Sequence, residues 1–436
     1  MRQREPQPPT YYQTSAGPGL SLPALSGQHS AEVVIVGGGY AGLGTALSLA
    51  ERGQRGVVVL EADEVGFGAS GRNGGFVFAG FSQSEEELLR MAGPERARRL
   101  YASTQAAVRL VRTRIGRYAI DCDLVDEGVI WANWFRDEGL LRARQRLLRE
   151  HYGSEWQWLS PQALQERVAS PRYHAGLFEP DALHLHPLKW ARGLASAARG
   201  LGVTIHEHSP VIGLRPQAGG WRLETANGAR IDTPNVVLAC GGYLAGLVAR
   251  IDRSVLPIAT YAMATEPLGE RLATIFPGTR AAVYDSRFAF DYYRPLADTR
   301  LLWGGRVSIL DRSPRAVARL LTADLARVFP QLGAVRIDSA WSGLMSYARH
   351  AMPELGRLEP GLWYAQAFGG HGQATTIAAG EALAAALTEG PAALADYAPF
   401  GLPWAGKPFG LLAAQLSYAW MQGRDRLKTL VERGFA

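Results

Sequence analysis

Val33-Val-Ile-Val-Gly37-Gly-Gly39-Tyr-Ala-Gly42 opens the decisive stretch of this 436-residue chain. It runs on through an apolar, Ala- and Leu-rich segment to Val57-Val-Val-Leu-Glu61, and ends in Ser70-Gly-Arg-Asn-Gly-Gly75. A short β-branched run that meets glycines predicts a strand, a tight turn and then a helix. Gly37 permits the turn, Gly39 lets a pyrophosphate approach the backbone, and Gly42 lets helix and strand pack closely. The helix N-terminus offers N–H groups and a partial positive charge to phosphate. Glu61 follows Gly42 by nineteen residues, at the end of the second β-branched run. There its carboxylate would accept hydrogen bonds from ribose hydroxyls. Three glycines alone fit any close-packed connector, whereas strand, turn, helix, strand and acid in this order point to a dinucleotide. Residues 33–50 are also eighteen positions without a charge, long enough to suggest a membrane span. The glycines and the strand-to-helix switch make them a buried β-turn-α unit instead.

Composition narrows the classes. With 47% hydrophobic and 20% charged residues the chain is globular and has room for two domains. The 46 basic and 40 acidic residues leave a net charge of +6, scattered over helix-like segments rather than gathered in a block. No nucleic-acid partner is expected from that pattern. Lys189, Lys407 and Lys428 are the only lysines and none lies in a Gly-rich motif, which argues against a Schiff-base cofactor. Cys122 and Cys240 show neither zinc spacing nor a disulfide framework, so no metal is expected. Cys240 reads as a small residue of a buried strand. Residues 1–30, polar and rich in Pro, Gly and Ser, read as an extended surface arm. They lack the apolar core of a signal peptide, so a cytoplasmic protein is expected.

Residues 62–80 read as a Gly-rich loop, and residues 85–120 and 137–150 as amphipathic helices with arginine-rich faces. A further helix over 190–199 leads to a short strand, Gly202–Ile205. A three-stranded meander turns at Asn227-Gly228 and returns into Val236-Val-Leu-Ala-Cys-Gly-Gly242. Ser286–Val307 reads as a hairpin with Phe288, Phe290 and Tyr292 on one face, and 314–329 as a helix. Gly369-Gly-His-Gly372 is a turn before an alanine-rich helix, Gln373–Leu387. The last helix, 409–430, carries Trp420. It packs on the body or makes a peripheral membrane or partner contact.

Taken in order, these pieces resemble the FAD-dependent D-amino-acid oxidase and glycine oxidase family, and within it the gamma-glutamylputrescine oxidase branch. The likeness rests on Tyr11-Tyr12, Gly68-Ala-Ser-Gly-Arg-Asn-Gly-Gly75, Tyr292-Tyr-Arg-Pro-Leu-x-Asp-x-Arg-Leu-Leu-x-Gly-Gly305 and Met352-Pro-x-Leu-Gly-Arg357. The resemblance implies an α/β fold in which a Rossmann-like FAD-binding domain is interleaved with a substrate domain of β-sheet plus helices. The first would take residues 1–95, 190–255 and 346–436, and the second 96–189 and 256–345. It further implies that Ser70, Gly71, Arg72, Asn73, Gly74 and Gly75 pass the flavin, with Arg72 and Asn73 bonding to pyrophosphate or flavin edge. The Val211 backbone would meet adenine, and Ala239 and Gly241 would return toward the cofactor. Gly369, Gly370, His371, Gly372 and Gln373 would aim a helix N-terminus at the flavin pyrimidine, where negative charge collects on reduction. His371 either shapes that turn or does acid–base chemistry. No other side chain is assigned a catalytic part, because the flavin carries the chemistry.

The reaction implied is oxidation of an amine C–N bond by hydride transfer to flavin N5, the imine then being hydrolysed. Tyr261, Phe288, Phe290, Tyr292 and Trp341 are the expected pocket walls. Met345, in Ser342-Gly-Leu-Met-Ser, stands where amino-acid oxidases of the family often hold an arginine. A thioether cannot grip a carboxylate, so a simple α-amino acid is disfavoured. Arg349 or Arg294 is then the candidate anchor for any carboxylate. No lysine follows His371-Gly372, unlike the sarcosine oxidase branch, which leaves O2 or another acceptor such as a quinone or carrier protein open. Arg349-His-Ala-Met352 occupies the region where those relatives carry a tethering cysteine, so FAD is expected to be non-covalent. The expected substrate is a small amine such as a gamma-glutamyl-polyamine. A cyclic imino acid (pipecolate- or proline-like) and a non-catalytic FAD-binding assembly role stand as alternatives.

Overall fold

The computed structural model describes residues 9–407 and 409–434. Its centre is a six-stranded sheet, in spatial order Glu354–Glu359, Leu362–Gln366, Asn235–Leu238, Val33–Val36, Val57–Leu60 and Thr204–His206. All neighbours run parallel except the first pair. Val33 pairs with Val57 on one side and Asn235 on the other. A parallel strand buried on both faces needs a continuous apolar run, and all four residues of Val33–Val36 are buried.

The helix Tyr40–Glu51 packs on the alanine-rich helix Gly372–Thr388. The two backbones nearly touch: a Cβ on Gly380 would fall 2.7 Å from the Gly44 carbonyl carbon. A third helix, Pro94–Arg117, packs against the alanine-rich one and shares its core. The expected boundary between residues 95 and 96 falls just inside this third helix. Arg114 of that helix is fully buried and holds Glu381 at 2.8 Å. The helix expected over 85–120 is two helices, Glu85–Ala92 and Pro94–Arg117. Gly93 at φ 74° ends the first and Pro94 starts the second.

An eight-stranded, mostly antiparallel sheet lies beside this unit, from Ile337–Ala348 at one edge to Gln157–Leu159 at the other. Tyr293 stacks on Trp303 within its core at 4.5 Å between ring centres. The meander forms as expected from Val211–Gln217, Gly220–Thr225 and Arg230–Thr233, and Gln28–Ser30 adds a fourth, parallel strand. The C-terminal helix Gly410–Gly434 packs on strands Val255–Thr265 and Leu301–Ser308 of the large sheet. No helix among the described residues is long and apolar enough to cross a membrane.

The N-terminal arm is not simply extended. Residues 1–8 lie outside the described residues, but Thr10 caps a helical turn, Tyr11–Ser15. Tyr12 is fully buried, edge-on to Trp341 at 5.3 Å and to His186 at 4.8 Å. Leu22 and Leu25 are buried as well. Aromatic burial overrides the polar composition that suggested a loose arm.

Candidate active site

One cavity of about 3000 Å³ runs from the first β-turn-α unit to the large sheet. Gly37, Gly39, Glu61, Val211, Ala239 and Gly241 line one end, and Gly369–Gln373 and the hairpin aromatics line the other.

The glycines show why their positions tolerate no side chain. Gly37 has φ +116°, and a Cβ there would lie 2.5 Å from the Ala239 carbonyl oxygen. A Cβ on Gly42 would lie 2.0 Å from the Gly37 carbonyl oxygen. Gly42 does not itself line the cavity; it closes the turn behind it. The first N–H groups of a helix have no intrahelical acceptor. Here Ser70 Oγ accepts one of them, from Tyr40, at 2.9 Å. Glu61 accepts N–H bonds from Gly38 at 2.6 Å and Asp63 at 3.0 Å. Burial raises the Glu61 pKa and these N–H groups oppose it. A carboxylate has lone pairs to spare for ribose hydroxyls beyond those two bonds.

The Ser70–Gly75 loop is held from within. Asn73 Nδ2 donates to the Ala69 and Ser70 carbonyls at 3.0 and 2.9 Å. Its Oδ1 accepts from Gly75 N at 2.8 Å and from Gln373 Nε2 at 2.9 Å, tying the loop to the second turn. Arg72 Nε donates to the Phe67 carbonyl at 3.0 Å, and the Trp341 indole donates to the Arg72 carbonyl at 2.9 Å. Gly71 and Gly75 lie off the cavity, packed against Gly66 and Leu185 backbone, while Gly74 lines it. Gln373 is buried and its Oε1 has no partner.

His371 is the cap residue of the helix Gly372–Thr388, half-buried and edge-on to Phe78 at 4.7 Å. Burial, with help from the Arg144 cation, pushes its pKa down to about 4, so the ring is neutral at physiological pH. Arg144 is paired with buried Glu85 at 2.7 Å and lies over Trp131 and Trp156. Burial alone would raise Glu85, but Arg144 holds it low.

Aromatic rings make a continuous wall beside His371. Tyr292 meets Phe76 at 5.6 Å and Phe290 at 6.3 Å. Tyr284 stacks on Phe78 at 5.8 Å and on Trp131 at 6.2 Å. Phe76, Phe78, Trp131 and Tyr284 were not anticipated. The alternation Phe76-x-Phe78 directly behind Gly75 was the sequence signal for two of them; Trp131 and Tyr284 come from adjacent parallel strands that only the fold brings together.

Three expected residues sit elsewhere. Tyr261 lies in the interior of the large sheet, not on the wall, with its hydroxyl donating to the Leu310 carbonyl at 2.6 Å. Trp341 is buried under Tyr12. Arg294 is buried and donates to the Gly74 and Leu185 carbonyls at 2.7 and 2.9 Å, so it braces the Gly-rich loop and does not reach the cavity. Phe288 and Phe290 do line it, from a turn before the strand Asp291–Pro295 rather than from strand alternation. Met345 is half-buried on the wall and Arg349 is exposed at the rim. Cys240 is two residues past the strand Asn235–Leu238, half-buried on the cavity wall, and burial pushes its thiol up to about 12.

A doubly covered parallel sheet with a glycine cradle at its strand ends, opening into an aromatic chamber, defines a dinucleotide-dependent oxidoreductase. The orphaned Gln373 Oε1 and the side-chain-free cradle fit FAD, which would be held by Gly37–Gly42, Glu61 and the Gly369–Gln373 turn. A family model described as FAD dependent oxidoreductase (DAO) matches residues 32–386, and the chain belongs to that family. It is 34% identical over 423 residues to gamma-glutamylputrescine oxidoreductase of Escherichia coli, covering 96% of this chain and 98% of the relative. It is also 34% identical over 383 residues to the probable oxidoreductase OrdL of Haemophilus influenzae, covering 87% and 88%. The crystal structure of glycine oxidase from Geobacillus kaustophilus superposes with TM-score 0.72 at 25% identity, covering 86% of this chain and 99% of that one. The protein is an FAD-dependent oxidoreductase.

Proposed function

We propose that this oxidoreductase converts the C–N bond of a gamma-glutamyl-polyamine or similar amine to an imine, which water then hydrolyses. One observation carries the reading: the reacting end of the cavity is aromatic, and the half-buried arginines on its wall already have partners, Arg72 in the Phe67 and Ser342 carbonyls and the others in carboxylates. Arg144 pairs with Glu85, Arg306 with Asp324, and Arg287 with Asp285 and Asp291. An α-carboxylate beside the reacting carbon would find no open guanidinium there. Exposed Arg146 and Arg349 on the same cavity suit a carboxylate many bonds away, as on a gamma-glutamyl group.

FAD, when bound, supplies the acceptor for the hydride leaving the carbon beside nitrogen. The chain supplies the rest. Phe76, Phe78, Tyr284, Phe290 and Tyr292 exclude water and favour the neutral amine, because desolvation lowers an amine pKa. Residues 369–373 hold a helix N-terminus toward the cavity, and Asn73 and Gln373 fix it to the Gly-rich loop. Neutral His371 shapes the chamber next to Phe78. We take FAD as non-covalent, since no cysteine lies at 349–352 and the Cys240 thiol is far from reactive. Two free thiols and no disulfide among the described residues support a cytoplasmic protein.

Anaerobic mixing of the yellow protein with an amine panel tests the reading. Gamma-glutamylated and plain diamines should bleach the flavin, and Arg349→Leu should raise KM only for the carboxylate-bearing ones. Bleaching by cyclic imino acids alone would sink it. No bleaching by any compound would leave the non-catalytic assembly role.

A further inference from the structure

The C-terminal helix Gly410–Gly434 has two unlike faces. Its inner face closes the cavity. Ala413, Ala414, Gln415, Ser417 and Tyr418 line it, and Gln415 Oε1 accepts from Ile309 N at 3.1 Å while the Tyr418 hydroxyl accepts from Val307 N at 3.1 Å. Its outer face carries Leu412, Leu416, Trp420, Leu427 and Leu430, at the three- and four-residue steps of one helical stripe. Phe409 extends the stripe at its start. These side chains are half to three-quarters exposed, 54% at Leu412 and 75% at Trp420. So much apolar surface in one row marks an interaction site.

Charge decides the occupant. The helix's two described carboxylates turn back to the body: Asp425 accepts from Phe288 N at 2.7 Å, and Glu432 from Arg136 N at 3.1 Å. Lys428 leans over Phe135, 4.3 Å from its ring centre. Arg424 and Arg426 are exposed and make no ion pair among the described residues, so the charge left facing solvent is positive. A second copy of this chain would bring the same unbalanced cations to the contact. An anionic surface complements them, and the chain's net +6 acts in the same sense. Leucines and a tryptophan in a row beside arginines are what a helix lying in a headgroup layer presents.

We propose that the outer face of this helix seats the protein on an anionic phospholipid bilayer, with the cavity directly behind the seat. The helix lies in the interface plane; it does not span. Binding combines insertion of Leu416, Trp420 and Leu427 with attraction of Arg424 and Arg426 to lipid phosphate.

Cosedimentation of the flavin-loaded full chain with phosphatidylcholine vesicles, with and without phosphatidylglycerol, tests this. The protein should pellet with the anionic vesicles and leave them as salt rises. Replacing Arg424→Gln and Arg426→Gln should weaken partition about fivefold each. Leu416→Glu with Trp420→Glu should abolish it, with flavin content and thermal midpoint showing that the fold is kept. No binding to anionic vesicles at low salt overturns the proposal, as does equal binding to neutral ones. A native oligomer that Trp420→Glu dissolves also overturns it and assigns the face to a second copy.

Discussion

Tyr292 sits in a slot between two glycines, and that slot sets a sharp prediction for Gly304→Ala. A Cβ on Gly304 would fall 2.1 Å from Tyr292 Cζ, whereas ordinary contact begins at 3.4 Å. The ring must therefore move by at least about 1.3 Å (3.4 − 2.1). It cannot simply slide toward Gly74, because a Cβ there would already lie 2.5 Å from Tyr292 Cε2. The displaced ring pushes on Phe76 and Phe290, its neighbours in the chamber. Overpacking of this kind costs about 1–3 kcal/mol. A reacting carbon misplaced by about 1 Å loses roughly a hundredfold in rate. We expect kcat/KM for the amine to fall by about tenfold to a hundredfold. Steady-state kinetics on Gly304→Ala, Tyr292→Ala and the double variant measure it. Once Tyr292 is an alanine the clash is gone, so Gly304→Ala should then cost almost nothing. An equal cost in both backgrounds refutes the reasoning.

Three further outcomes follow from the geometry. Buried Glu179 has its pKa raised to about 8, chiefly by burial, and its Oε2 has no partner. A raised carboxyl favours the fold below the unfolded pKa, and that contribution is lost as pH rises from about 4.5 to about 8, up to about 5 kcal/mol in all. Glu179→Gln should therefore flatten the decline in thermal midpoint between about pH 5 and pH 9, and parallel curves for the two proteins would contradict this. Gly42→Ala places a Cβ 2.0 Å from backbone that cannot yield. It should weaken flavin retention by about 3 kcal/mol, roughly a hundredfold, read from flavin absorbance after gel filtration. Met345→Arg puts a guanidinium on the cavity wall. It should shift the ratio of kcat/KM toward carboxylate-bearing imino acids by about tenfold or more in competition assays.

The cofactor half of the molecule was legible because its requirements are local. A turn that admits no side chain needs glycine at Gly37 and Gly42, and a strand buried on both faces needs a run such as Val33–Val36. The chamber was less so. Phe290 and Tyr292 lay in a readable hairpin, but Trp131 and Tyr284 become neighbours only because Ala282–Asp285 pairs in parallel with Val129–Ala132. Pairing between strands so distant in sequence leaves no periodic trace. Arginines were the hardest to read. Arg294, Arg144 and Arg349 look alike in a sequence, yet one braces a loop, one is locked to Glu85 and one stands at the rim. Tyr261 failed similarly, since an alternating strand places an aromatic on one face without saying what lies opposite.

The buried Tyr12 carries a consequence for how the chain is made. Its hydroxyl accepts from Arg294 NH2 at 3.4 Å across 282 residues, and its ring needs Trp341 as a wall. A ribosome delivers Tyr12 long before Arg294 and Trp341. The opening segment therefore waits unseated while the sheets assemble, and its docking belongs to the last stage of folding. Bulky fusions ahead of residue 10 act on that late step, slowing the gain of the finished state more than they disturb the state itself.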